Sequence, residues 1–169
     1  MSIEDEFERN APHYLAEIIP ATAVRLDLAA SSPEGAVREL ATSLAGSFSA
    51  VLDPRQITDA VWARAQGILT DLGNGVAIPH ARLPGLKSPI VALGRSVAGV
   101  RFDPRREDVA RLVFLILTPE EQPRTHVQVL ARVAGLVESA FVRERLLAAE
   151  TPAETIEIIR SSDPITHSD

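Results

Sequence analysis

At 169 residues the chain has room for one domain with a substantial core, and 46% hydrophobic against 24% charged residues is the balance of an ordinary globule. A net charge of −6 argues against general binding to nucleic acid or to anionic membranes, since either would need a basic surface. The absence of cysteine excludes disulfides, thiol catalysis and thiolate metal sites, and aromatics at 4% leave the core to Leu, Val, Ile and Ala.

The start, Met1-Ser2-Ile3-Glu4-Asp5-Glu6, is acidic and lacks the apolar stretch of a secretion signal. No apolar run approaches the roughly 20 residues needed to span a bilayer, so a cytoplasmic protein without direct membrane insertion is expected. Tyr14, Leu15, Ile18 and Ile19 suit a short helix docked on the body, within an N-terminal extension over 1–19. Between Ala23 and Leu28, Val24, Leu26 and Leu28 alternate with Arg25 and Asp27, the pattern of a half-buried strand.

Ser31-Ser32-Pro33-Glu34 starts a helix, with proline in the first turn and Val37, Leu40, Ala41, Leu44 and Phe48 following at helical spacing. Asp53-Pro54 starts a second, with Ile57, Val61, Ala65 and Ile68 on its apolar face. Arg64 falls on or beside that face, where it either snorkels to solvent or reaches for an anion.

Gly73-Asn74-Gly75 then marks a tight turn, because Asn and Gly tolerate positive φ. Val76-Ala77-Ile78 reads as a short strand and Pro79, with no N–H to give, as its end. His80 is thereby placed where a strand leaves its sheet, and Ala81 to Leu86 reads as a loop. Ile90 to Leu93 and Val97 to Phe102 suit two further strands. Leu112 to Leu117 is uninterrupted and apolar, which predicts a central strand buried on both faces.

After Thr118-Pro119 the spacing predicts a helix with Val127, Leu130, Ala131, Ala134 and Val137 inward and His126 in or just before its first turn. Another helix is expected around Val142 to Ala149. Thr151-Pro152-Ala153-Glu154 forms a capping box for a last one. The main domain is read as 20–160, followed by a polar tail over 161–169.

The chain has four histidines. His13 and His167, near the termini, read as surface residues. His80 and His126 each follow the end of an apolar strand, and neighbouring strands would bring those ends together. By pattern alone they are either reactive residues or satisfied structural ones. As a pair they make a poor metal site, since no third or fourth ligand can be nominated.

Gly-Asn-Gly-Val-Ala-Ile-Pro-His at 73–80 resembles the signature of the IIA domains of the bacterial phosphoenolpyruvate-dependent sugar phosphotransferase system. The type is fructose/mannitol, which includes stand-alone nitrogen-regulatory IIA proteins. Leu112 to Val133 is similar to the family's second characteristic region, and Arg64 holds the place of a family arginine upstream of the glycine turn. The resemblance implies a three-layer α/β/α sandwich with a mixed sheet.

It also implies a catalytic set of His80, His126 and Arg64, with Thr70 and Asn74 binding the phosphoryl group and no metal or cofactor. His80 would accept a phosphoryl group from an HPr-type phosphocarrier. The group would pass to a IIB protein, or serve as a signal controlling a transporter or sensor kinase. Such a protein is a phosphohistidine carrier rather than a free-standing, multiple-turnover enzyme.

The residue chemistry is compatible: a neutral imidazole, with an ordinary pKa of about 6.5, is a good nucleophile near neutrality. Arginine offers paired donors to phosphoryl oxygens. The chain departs from the family pattern at Leu69, where a serine is frequent, at Ala65, where an acid is common, and at Ala81, where glycine is frequent. Arg82 reads as a solvated loop arginine, with a supplementary place at the anion site as the alternative.

Overall fold

The computed structural model describes residues 14–47, 52–65 and 70–163. The readings of residues 1–13, Phe48, Ile68, Leu69, His167 and the end of the tail lie outside the described residues. Among those described, the chain runs α1 (Leu15–Ile18), β1 (Val24–Arg25), α2 (Pro33–Ser47), α3 (Pro54–Ala65), β2 (Asp71–Gly73), β3 (Val76–Ala77) and β4 (His80–Leu83). It continues through β5 (Ile90–Val100), β6 (Ala110–Pro119), α4 (Pro123–Glu138), α5 (Ala140–Ala148) and α6 (Pro152–Ser162).

The apolar run 112–117 lies in the middle of β6, and every residue from Leu112 to Pro119 is buried. One mixed sheet surrounds it in the order β1-β5-β6-β3-β2, with β4 also paired to β6. β5 is antiparallel to β6, whereas β3 and β4 run parallel to it. Alternation along β6 sorts the core into two layers. Leu112, Phe114 and Ile116 pack with Leu15, Val129, Val133, Leu136, Leu146 and Ile159 on one face. Val113, Leu115 and Leu117 pack with Val37, Leu40, Leu44, Ile57 and Val61 on the other. Helices α1 and α4–α6 therefore cover one side and α2–α3 the other, an open α/β/α sandwich.

The helix starts obey their sequence signals. Asp53 Oδ1 accepts from the Arg55 N–H at 3.0 Å, and Thr151 Oγ1 accepts from the Glu154 N–H at 3.1 Å. Glu154 reaches back to the Glu150 N–H at 2.9 Å, one residue upstream of the cap. α1 docks on the body: Leu15 and Ile19 are buried, and the Leu15 N–H donates to Asp163 Oδ2 at 2.8 Å, at the end of α6.

The strand readings around residues 23–28 and 90–102 need correction. Only Val24–Arg25 ladders with β5, after a 3-10 turn at Ala21–Ala23. The two expected strands at 90–102 are one, β5, and it ends at Val100. The polar interruption that suggested a break has a tertiary cause. A Cβ on Gly94 would stand 2.6 Å from Leu28 Cδ1, so any larger residue there would have to displace the Leu28 side chain. Arg95 donates through Nε to the Leu26 carbonyl at 3.0 Å and through Nη1 to the Leu147 and Ala149 carbonyls at 3.0 and 2.6 Å, tying the sheet edge to the end of α5.

The loop between β5 and β6 is held by Asp103, 2% exposed, whose Oδ1 accepts from the Arg105 N–H at 3.0 Å and Nε at 3.1 Å. These bonds hold its carboxyl below the usual carboxylate range. A lowered folded-state value stabilises the fold above the unfolded value of about 4 and is lost as pH falls through the folded one. Thermal melts of wild type and Asp103→Asn should therefore converge as pH drops below about 4. A gap that stays constant would contradict this.

Candidate functional site

The site begins with a turn. Asn74 (φ 55°) and Gly75 (φ 78°) both take left-handed backbone, as a two-residue hairpin of the primed type requires, and β2 pairs antiparallel with β3 across it. β3 then runs alongside β6, Val76 opposite Leu112 and Ala77 opposite Val113. The ladder pauses at Ile78-Pro79 and resumes in the same register, with His80 opposite Ile116 and Leu83 opposite Pro119. At the pause the Pro79 carbonyl accepts from the Ile116 N–H at 3.0 Å, so the residue without an N–H is used only as an acceptor. The Ile78 N–H turns the other way, to the Thr70 carbonyl at 2.7 Å.

His80 thus opens a strand, β4, rather than leaving one, and Ala81 to Leu83 are strand rather than loop. Ala81 and Leu83 enter the α2–α3 core, which directs His80 and Arg82 to the α4 side. His80 is 8% exposed, and its Nδ1 lies 2.7 Å from the Ile78 carbonyl. A carbonyl can only accept, so Nδ1 carries the proton and the lone pair of the neutral ring is on Nε2.

The second imidazole arrives from β6 through a tight turn. The Glu120 N–H donates to the Leu83 carbonyl and the Gln122 N–H to the Pro119 carbonyl, and Pro123 opens α4. His126 is 4% exposed in the first turn of α4. Its Nδ1 lies 2.5 Å from Thr118 Oγ1. The Thr118 hydroxyl is fully buried and has no other hydrogen-bond partner among the described residues. Its O–H would be orphaned unless it donates here, so we assign the proton to Thr118. In the neutral ring Nε2 of His126 is then the N–H.

The two ring centroids stand 5.4 Å apart, with the planes at 53°. No side chain caps α4, so the Arg124 and Thr125 amides add the positive end of the helix dipole beside the pair.

Of the other expected site residues, Thr70 is brought close: its carbonyl is bonded two residues before His80. Asn74 is not. It lies at the far end of β3, in a groove with Ala131, Gly135 and Glu138 of α4, and six strand residues put it about 20 Å from His80. Arg64 stands in the last turn of α3, and its side chain lies outside the described residues.

The phase of α4 also differs from expectation. Thr125, His126, Val129, Val133, Leu136 and Val137 are buried, while Val127 is 65% exposed. Two apolar stripes compete on this helix, and the one containing His126 and Val129 faces the sheet. Thr118, bonded to His126, is the residue beside the pair that sequence reasoning did not single out. Its position at the end of an apolar run read only as a strand terminus.

These features define an α/β/α sandwich with a paired-imidazole site beside a helix N-terminus. Residues 17–162 match the model of the family described as "Phosphoenolpyruvate-dependent sugar phosphotransferase system, EIIA 2". The "PTS system fructose-specific EIIABC component" of Bacillus subtilis is 30% identical over 151 residues, spanning 88% of this chain but only 23% of that protein. The "PTS system fructose-specific EIIA component" of Haloferax volcanii is 33% identical over 137 residues, spanning 81% of this chain and 88% of that one. Among solved structures, the nitrogen regulatory protein IIA-Ntr from Neisseria meningitidis superposes with a TM-score of 0.78 at 30% identity, covering 87% of this chain and 99% of that one. The chain belongs to the EIIA 2 family of the phosphotransferase system.

Proposed function

We propose that the chain is a phosphocarrier that takes a phosphoryl group onto Nε2 of His80. One observation carries the reading: the Ile78 carbonyl accepts a hydrogen bond from Nδ1–H, with nitrogen and oxygen 2.7 Å apart, which leaves Nε2 as the nucleophilic nitrogen. The donor is a phosphohistidine of an HPr-type carrier. The Nε2 lone pair forms the new N–P bond as the donor's N–P bond breaks, and that electron pair returns to the donor ring. The Nδ1 proton stays in place, where the Ile78 carbonyl stabilises the positive charge that the ring gains.

His126 Nε2–H and the first-turn amides of α4 donate to the phosphoryl oxygens, and Thr118 keeps His126 in that tautomer. Arg64 supplies a cation from the end of α3, where the chain leads through 66–69 to Thr70. The acceptor is a IIB-type protein.

Incubation with phosphoenolpyruvate, enzyme I and HPr, followed by intact mass, tests this. One acid-labile phosphoryl group on the wild type and none on His80→Ala is the expected result. An unmodified wild type under every donor combination would overturn it.

A regulatory reading, in which the phosphoryl group sets affinity for a transporter or sensor kinase, draws support from two observations. One is the full-length likeness to a nitrogen regulatory protein. The other is exposed Val127, which offers an apolar contact directly beside the pair. A group adding about −1.5 to −2 charge there would alter any docking over it.

A further inference from the structure

The arginine two residues after His80 has a place in the site that its sequence context hides. Arg82 is not on a loop: it lies in β4, opposite Thr118 of β6, the residue bonded to His126. Ala81 and Leu83 are 1% and 4% exposed in the α2–α3 core, so Arg82 shares the other face of the strand with His80. Side chains two apart on a strand start about 6.6 Å from each other, a separation that an extended arginine spans.

Arg82 is half-buried, and among the described residues it forms no hydrogen bond or ion pair. Glu120 and Glu121, in the turn that follows Thr118-Pro119, are exposed, and neither pairs with it. A guanidinium partly withdrawn from water with no anion beside it leaves donors for one that arrives.

We propose that Arg82 is a further catalytic residue, whose guanidinium holds the oxygens of the phosphoryl group on His80 from the strand side, facing the donors of α4. The proposal rests on the phosphocarrier reading. Arg82 makes and breaks no covalent bond: it donates N–H groups to oxygens whose charge grows as the phosphoryl group passes between nitrogens. Arginine suits the task because its planar fork meets two oxygens at once.

The test compares wild type, Arg82→Gln and Arg82→Lys with two donors, phospho-HPr and phosphoramidate. The second is a small molecule that needs no docking surface. The expected result is a fall of about tenfold or more in the initial rate for Arg82→Gln with both donors, together with faster loss of the group once attached. His80 should still carry the label and the thermal midpoint should be unchanged, with Arg82→Lys recovering part of the rate.

A fall with phospho-HPr alone would make Arg82 a docking residue and overturn the proposal. Unchanged rates with both donors would also overturn it. Failure of the carrier reading is distinct, because it appears in the wild type, which would take no label from either donor.

Discussion

Replacing His126 with alanine is expected to slow phosphoryl uptake about a hundredfold while His80 remains the residue that carries the group. The expectation follows from the order of the polar contacts. Thr118, fully buried at the end of β6, donates to His126 Nδ1 and thereby puts the remaining proton on Nε2. That ring stands 5.4 Å from His80 centroid to centroid, close enough for its N–H to meet an oxygen of a group on His80 Nε2.

A donor of this kind acts on charge that develops during transfer, so its loss should appear in the rate constant more than in donor binding. His126→Gln, which keeps an N–H donor, should retain more of the rate than His126→Ala. Stopped-time phosphorylation with HPr in excess would measure both. An unchanged rate in His126→Ala would leave the second histidine a packing residue. A label that moves from His80 to His126 in the wild type would reverse the assigned roles.

The second large effect concerns the frame that sets those distances. Phe114 is fully buried at the centre of β6, in the layer shared with α4. Truncation to alanine opens a cavity between sheet and helix, and a cost of about 3–5 kcal/mol is expected. For a chain of this size that lowers the melting midpoint by about 10 °C. Urea unfolding followed by circular dichroism would give the value, and a loss under about 1 kcal/mol would mean that the layer repacks freely. Phe114 and Ile116 share the face that α4 covers, so the same variant should also loosen the His80–His126 spacing and slow phosphorylation.

Much of this architecture is legible in the sequence. The run 112–117 declares a buried strand, and the prolines at 33, 54 and 152 mark helix starts because each stands where no N–H is needed. The motif at 73–80 gives the turn and points to His80.

What was not legible depends on contacts distant in sequence. Gly94 and Arg95 look like a strand break, yet they serve Leu28 and the end of α5 from within a single strand. Pro79 looks like a terminus, yet the register with β6 continues on its other side, and only the partner strand reveals that. The same misreading put Arg82 in solvent, whereas strand alternation sets it on the face of His80. Asn74 was drawn to the site by its place in the motif, and the extended β3 carries it to the opposite end. Near-equal apolar stripes on α4 left its rotation open until the sheet selected one.

The most direct test is to phosphorylate the ¹⁵N-histidine protein and record long-range ¹H–¹⁵N correlations of its imidazoles. The phosphoryl group is expected on Nε2 of His80, with the Nδ1 proton retained in its bond to the Ile78 carbonyl. A group on Nδ1 of His80, or on either nitrogen of His126, would contradict it.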